Sequence, residues 1–385
     1  MNLLTILGLF GVLFPPVVYP ILLGSMSWYR SLFKSSGAGQ PDLTDAELPS
    51  LSMVLCAYNE EAVLRSKLAN TLSLNYPTDK WDVLVLSDAS TDDTDKIVSE
   101  FGNPRIRLLR SESRVGKSAN LSRFVPSATG SILVFTDANS IYQKDALRRL
   151  VAHFVDPKVG YVVGAQRYMS RVDNPDHDSE NQYWELELKI KEWESNVSSV
   201  VGGDGAIFAM RKDLFEPLQP SDISDFLGPL KIVNQGYRGV FDPKAVCYES
   251  PVSSMHRNFY RKVRIVTRSY QAVAKVPNVL LPWKTGWFAM QVWFHKVFRW
   301  LSPVFLIMTV VGAAIDTAQG GQSGMILLGM VAAWLLLAAL YLIPQVRRIS
   351  VVSAACYILV VNAAAFVALV LVLTGRNINT WKPDR

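Results

Sequence analysis

Residues 131–142 read SILVFTDANSIY. Ile132–Phe135 is a short apolar, partly β-branched run, the pattern of a strand buried on both faces. It stops abruptly at Thr136-Asp137-Ala138-Asn139. An acid at the C-terminal tip of a buried parallel strand stands where open α/β sheets bind their ligands. Asp137 and Asn139, two apart, can point the same way from an extended tip. Their oxygens suit a divalent cation held partly by substrate phosphates. The competing reading of such an aspartate is a turn or a helix N-cap. The flanking chain bears on the choice, because it repeats the same device.

Upstream, Leu51–Ala57 is a buried run with Tyr58-Asn59-Glu60 at its tip. Asn59 is expected to cap a helix whose Leu64, Leu68 and Leu72 share one face. Val83–Leu86 is a second strand, ending in SDASTDD (87–93), with Ser90 or Thr91 expected to cap the next helix. Ile106–Leu109 is a third strand, and RVGKSAN (114–120) opens a further helix. Downstream, Leu147, Leu150, Val151 and Phe154 mark an amphipathic helix. Tyr161–Arg167 reads as a strand, Trp184–Asn196 as an aromatic and acidic helix, and Val200–Met210 as Gly-rich, then apolar. A helix within 221–238 ends with Gly236 as its C′ residue, and Val240–Tyr248 is the last strand. Strands alternating with helices at this spacing predict a parallel sheet covered on both faces. Glu60, Asp88 and Asp137 then converge on one sheet edge. No G-x-G-x-x-G follows the first strand and no complete P-loop is present, so dinucleotide-binding and P-loop chemistries are unsupported.

The ends differ in character. Mean hydropathy is +0.18 over 385 residues, high for a soluble protein, and the excess lies at the two termini. Leu3–Leu23 is long and apolar enough to span a bilayer, with Pro15-Pro16 inside it. Arg30 and Lys34 follow it, which places the next segment in the cytoplasm. Residues 35–49 read as a linker. From Met255, Arg257, Arg261, Arg264 and Arg268 recur at helical spacing opposite Val263, Val266, Tyr270 and Val273, a basic amphipathic helix suited to a membrane surface. Trp283, Trp287, Trp293 and Trp300 form an interfacial aromatic belt. Apolar segments follow at 301–315, 325–343 and 351–373. Arg347 and Arg348 argue for an inside loop, whereas Arg376, Lys382 and Arg385 fall on the side that the span count places outside. The net charge of +6 is expected to face lipid headgroups or phosphorylated substrates rather than nucleic acid. Three scattered cysteines with no C-x-x-C argue against a disulfide framework or a zinc site.

The run YNE, SDASTDDT, RVGKSAN, TDANS, GGDGAIFAMRK, then SDF followed by QGYR, resembles the membrane-bound family-two glycosyltransferases, in order from about Leu51 to Arg268. That resemblance implies a GT-A α/β fold with a mixed, mostly parallel sheet and transmembrane helices at both ends. It implies an inverting transfer from a nucleotide-diphosphate sugar, a UDP-sugar first among them, to a lipid-linked or saccharide acceptor. It also implies a divalent metal, Mg²⁺ or Mn²⁺. Carried over, Ala57, Glu60, Asp88, Lys117 and Asp137 would bind the nucleotide, and Asp137 with Asn139 the metal. Asn139 stands where relatives have a second acid, which removes a charge. Gly203, Asp204 and Gly205 would line the acceptor site, Asp225 would be the catalytic base, and Arg261 and Arg264 would clamp phosphate. Where processive members carry Q-x-x-R-W this chain has RKVRI (261–265), with Ile265 in place of the tryptophan. Single additions are therefore favoured over polymerisation. The expected organisation is a membrane helix (1–24), a linker (25–49), a cytoplasmic catalytic domain (50–254), interfacial helices (255–300), about three membrane helices (301–374) and a tail (375–385). Such a protein is a multi-pass resident of the inner membrane that builds glycans or exopolysaccharide. The alternatives are a processive synthase and a membrane protein that only senses a nucleotide.

Overall fold

The computed structural model describes residues 1–33, 42–169, 176–250, 255–343 and 350–376. Its centre is one eight-stranded sheet in the order β3-β2-β1-β4-β7-β6-β8-β5. The strands are β1 Leu51–Ala57, β2 Trp81–Ser87, β3 Ile106–Arg110, β4 Ile132–Asp137, β5 Ile141–Tyr142, β6 Val159–Tyr168, β7 Phe208–Arg211 and β8 Arg238–Glu249. Strands β1 to β4 run parallel, and β7 enters antiparallel between β4 and β6.

The apolar runs work as two-faced strands. Val54, Leu84, Leu86, Leu133 and Phe135 enter one hydrophobic core. Met53, Leu55, Val83, Val85, Ile132 and Val134 enter the other. Side chains that alternate with period two supply both. The chain leaves β1 toward β2 and β3, then returns so that β4 lands on the other side of β1. That reversal is a topological switch point, where such sheets open a crevice at their carboxyl ends. The register puts Ala57 beside Ser87 and Cys56 beside Asp137, so the tips of β2, β1 and β4 end level.

The helices of this layer are α2 Glu61–Leu72, α3 Thr94–Glu100, α4 Lys117–Phe124, α5 Ala146–Ala152, α6 Asp176–Val197 and α7 Ser224–Asn234. Two expected caps are corrected. Asn59 does not cap α2. It takes a left-handed backbone (φ 54°), and its Oδ1 accepts the Thr91 N–H at 2.9 Å, tying the first two strand tips together. Helix α3 starts at Thr94 rather than after Ser90 or Thr91, and Asp92 Oδ1 accepts the Thr94 N–H at 3.0 Å. Gly236, at φ 92°, follows the end of α7 as expected.

The apolar ends pack on this body and on each other. Helix α1 runs Leu3–Leu32, nine residues beyond the expected Leu23, with a π-helical stretch at Phe14–Val18 where Pro15 and Pro16 sit. It is long and apolar enough to cross a membrane. Helix α8 is Met255–Lys275, α9 Trp287–Trp300, α10 Ser302–Ala318, α11 Gly324–Leu342 and α12 Ser350–Leu373. Helices α9 and α10 meet at a 64° bend. Helix α1 lies against α10 through glycines. A Cβ on Gly8 would stand 2.4 Å from Thr309 Oγ1, and one on Gly312 would stand 2.6 Å from the Thr5 nitrogen. Lys34, Arg347, Arg348, Lys382 and Arg385, on which the orientation argument leans, lie outside the described residues.

Candidate active site

Three elements bring charge to the switch-point crevice. Strand β4 delivers Asp137 at its tip, α4 carries Lys117 on its first turn, and α7 carries Asp225 on its first turn. Lys117 Nζ lies 2.7 Å from Asp137 Oδ1. Gly205 is the floor between them. A Cβ built there would be 3.3 Å from Asp137 Oδ2, from Asp225 Oδ2 and from Lys117 Nζ. Any side chain at 205 would therefore crowd the point where the three groups converge. Burial pushes the Asp225 carboxyl above the usual aspartate range; Asp204 and Asp137 push the same way, and Lys117 pulls against them. Burial pulls Lys117 down, yet Asp137 and Asp225 outweigh it and hold the ammonium above the ordinary lysine value.

Asp88 is buried at the β2 tip. Its carboxylate accepts the Val115 N–H (2.8 Å), the Gly116 N–H (3.0 Å) and Asn120 Nδ2 (2.9 Å). It thereby shapes the turn into α4 that presents Lys117. Gly116 takes φ 91° in that turn, a backbone that favours glycine. Glu60 is buried at the β1 tip, where its N–H donates to Thr94 Oγ1 at 2.7 Å, and the Ala57 carbonyl accepts the Asp88 N–H at 2.9 Å. Asn139 is half-buried in the turn beyond Asp137. The Gly203 N–H donates to the Asp225 carbonyl at 2.5 Å, and Asp204 pairs with Lys191 of α6 at 3.1 Å. On α8, Arg261 and Arg264 are half-buried. Arg261 offsets a small part of the rise that burial imposes on the Glu249 carboxyl, and burial draws the Arg268 guanidinium down against Asp222 and Asp225.

Sequence reasoning missed the groups that hold these. Lys67 of α2 is fully buried; its Nζ donates to Thr136 Oγ1 (2.7 Å) and the Ser140 carbonyl (2.5 Å). From the other side, Glu249 accepts Ser140 Oγ (2.5 Å) and Gln166 Nε2 (2.7 Å). The Asp137–Asn139 turn is thus clamped by a buried cation and a buried acid. Burial draws the Lys67 ammonium down to about 8, and burial with Asp137 lifts the Glu249 carboxyl to about 7. Lys275 holds Asp222 at 2.5 Å, and the Asp222 carbonyl accepts Ser118 Oγ, which ties α8 and α4 to the chain just before Asp225. A lysine at position 67, beside Leu64, Leu68 and Thr71 on the buried face of a helix, was the one visible signal.

Among the described residues no cluster of three or more His, Cys, Asp or Glu is placed to cage a metal. One carboxylate and one amide at 137 and 139 fit a cation that takes its other ligands from substrate phosphates and water. A larger cavity, about 650 Å³, lies by the start of β4 between Ser131, Phe154 and Arg211. Arg211 donates there to the carbonyls of Val159, Phe154 and Asp156.

A family model described as Glycosyl transferase family 2 matches residues 52–218. The Beta-monoglucosyldiacylglycerol synthase of Nostoc sp. (strain PCC 7120 / SAG 25.82 / UTEX 2576) is 30% identical over 164 residues, 42% of this chain and 34% of that protein. The Poly-beta-1,6-N-acetyl-D-glucosamine synthase of Staphylococcus aureus (strain COL) is 26% identical over 247 residues, 62% of this chain and 59% of that one. The chain thus spans between a third and three fifths of the length of these curated relatives. A solved structure, the mannosyltransferase PcManGT from Pyrobaculum calidifontis in complex with GDP-Man and Mn²⁺, superposes with a TM-score of 0.68 at 24% identity, over 96% of this chain and 99% of that one. The likeness is one of fold, and the fold is GT-A.

Proposed function

We propose that this chain, whose residues 52–218 form a glycosyl transferase family 2 domain, moves a sugar from a nucleotide-diphosphate sugar to a hydroxyl of a membrane-associated acceptor, with inversion. The observation that carries the reading is the convergence of Asp137, Asp225 and Lys117 around Gly205. A hydroxyl is a poor nucleophile until a carboxylate accepts its proton as it attacks the anomeric carbon. Asp225 has that role, and its raised pKa makes it a stronger base than an exposed aspartate. Attack comes from the side opposite the leaving diphosphate, which inverts the anomeric centre. Lys117, with Arg261 and Arg264, stabilises the charge that gathers on the departing phosphates.

Asp137 and Asn139 would hold a divalent cation, Mg²⁺ or Mn²⁺, that neutralises the leaving diphosphate. The mannosyltransferase of like fold carries GDP-Man and Mn²⁺, in keeping with that class of donor and metal. Ala57, Glu60 and Asp88 border the nucleotide, and Gly203, Asp204 and Gly205 border the acceptor. The apolar helices hold the domain at the inner membrane as a multi-pass protein, facing the cytoplasm. A relative named as a glycolipid synthase agrees with a lipid acceptor. One named as a polysaccharide synthase agrees with polymer formation, but Ile265 in place of tryptophan favours single additions.

The test is nucleoside diphosphate release by detergent-purified protein over a panel of nucleotide sugars with Mn²⁺ or Mg²⁺. Release from one donor is expected, abolished by EDTA and reduced about 10²–10⁴-fold by Asp225→Asn. Asp137→Ala is expected to abolish it as well. A donor that raises the melting temperature without turnover, with Asp225→Asn silent in cells, would replace this reading with nucleotide sensing.

A further inference from the structure

Helix α6 carries charge that the proposed chemistry does not use. Lys191 and Glu194 are three residues apart and so share a face. Lys191 Nζ meets Asp204 Oδ2 at 3.1 Å, with both side chains at least nine-tenths buried. Glu194 is wholly buried. One of its oxygens accepts the Val201 N–H at 2.9 Å; the other accepts Tyr19 Oη of α1 at 2.8 Å and meets His295 Nδ1 of α9 at 2.7 Å. His295 Nε2 lies 3.0 Å from Glu187 Oε2, whose second oxygen pairs with Arg299 at 2.6 Å. One face of α6 thus grips both ends of the 201–204 turn, while the same helix is bolted to the two apolar helices.

That turn bears on the reacting groups. Gly203 donates to the Asp225 carbonyl, and Gly205 sits 3.3 Å, by its Cβ position, from Asp137, Asp225 and Lys117. Asp204 is a third acid beside Asp137 and Asp225. The charges of Asp204 and Asp137 both act on Asp225, and like charges this near repel unless cations answer them. Lys117 answers Asp137, and Lys191 answers Asp204.

The geometry points to Lys191 and Glu194 as positioning residues that hold the 201–205 turn against Asp225 and anchor it, through α6, to helices α1 and α9. The kinetic part of this inference rests on the reading that residues 203–205 face the acceptor. The structural part does not.

Two measurements on the full-length protein in detergent test it. In amide hydrogen exchange, Lys191→Met is expected to speed exchange across 201–206 while strand β4 stays protected, which separates a loosened turn from unfolding. Glu194→Gln should do the same at Val201. Lys191→Arg should restore protection, and Lys191→Met combined with Asp204→Asn should exchange more slowly than Lys191→Met alone, because the stranded carboxylate is gone. In nucleoside diphosphate release with GDP-mannose, UDP-glucose and UDP-N-acetylglucosamine, Lys191→Met should lower kcat about 10–100-fold with the donor KM held within about twofold, and Lys191→Arg should recover it. Unchanged exchange at 201–206 in Lys191→Met and Glu194→Gln overturns the inference. Exchange that changes as expected in a protein that turns over none of the donors sustains the positioning role and counts against the transferase reading.

Discussion

At the scale of single residues, the site turns on the charge balance around Asp225. A base acts only when deprotonated, so the rate falls as pH falls through its pKa. Burial, then Asp204 and Asp137, raise that pKa above the ordinary aspartate value. The acid limb of the kcat/KM profile should accordingly lie above the usual aspartate range. Lys117 lowers it, so Lys117→Met should carry the limb to higher pH; a limb that stays in place would remove Asp225 from the role of base. Gly205 makes a second residue-scale prediction. In Gly205→Ala the new methyl would sit 3.3 Å from all three charged groups, and each must give by a few tenths of an ångström. A loss of about tenfold or more in kcat, with an unchanged melting temperature, is expected.

At the scale of elements, backbone contacts leave less room to adjust. Gly130, just before β4, donates its N–H to Ser52 Oγ at 2.9 Å. A Cβ there would stand 2.2 Å from the Leu51 carbonyl carbon and 2.4 Å from the Ser52 nitrogen. Main chain cannot swing aside as a side-chain tip can. Gly130→Ala should cost about 1–3 kcal/mol, read as a lowered melting temperature with the metal and donor affinities of the surviving fold intact. The strands themselves were legible, because β1, β2 and β4 are apolar on both faces and only a two-sided core explains such runs. Their acidic tips were legible for the same reason: each run stops at its polar group. The clamps were not. Lys67 meets Thr136 across 69 residues and Ser140 meets Glu249 across 109, and no local pattern encodes such partners. The caps misled because Asn59 turns its side chain across to the Thr91 N–H, and because the first N–H of α3, that of Thr94, is taken by Asp92 rather than by Ser90 or Thr91.

At the scale of the whole molecule, the apolar ends form one packed unit with the sheet body. Glu194 joins α1, α6 and α9 in a single buried cluster. Glycines let α1 approach α10 closely, as small residues do between helices in lipid. Gly312→Leu would drive a side chain into the Thr5 backbone. It should lower the melting temperature of the detergent-purified protein while hydrogen exchange in β1, β2 and β4 stays slow. An equal loss of protection in the sheet would mean that the ends and the body unfold as one.

The α1–α10 contact also has a history in time. Asn2 donates to the Gly312 carbonyl at 2.7 Å across 310 residues of chain. A ribosome adding about 5–20 residues per second makes that partner roughly 15–60 s after the first helix has emerged. During synthesis, the glycine face of α1 therefore waits without that partner, and the whole sheet domain is made while the two apolar helices are still apart.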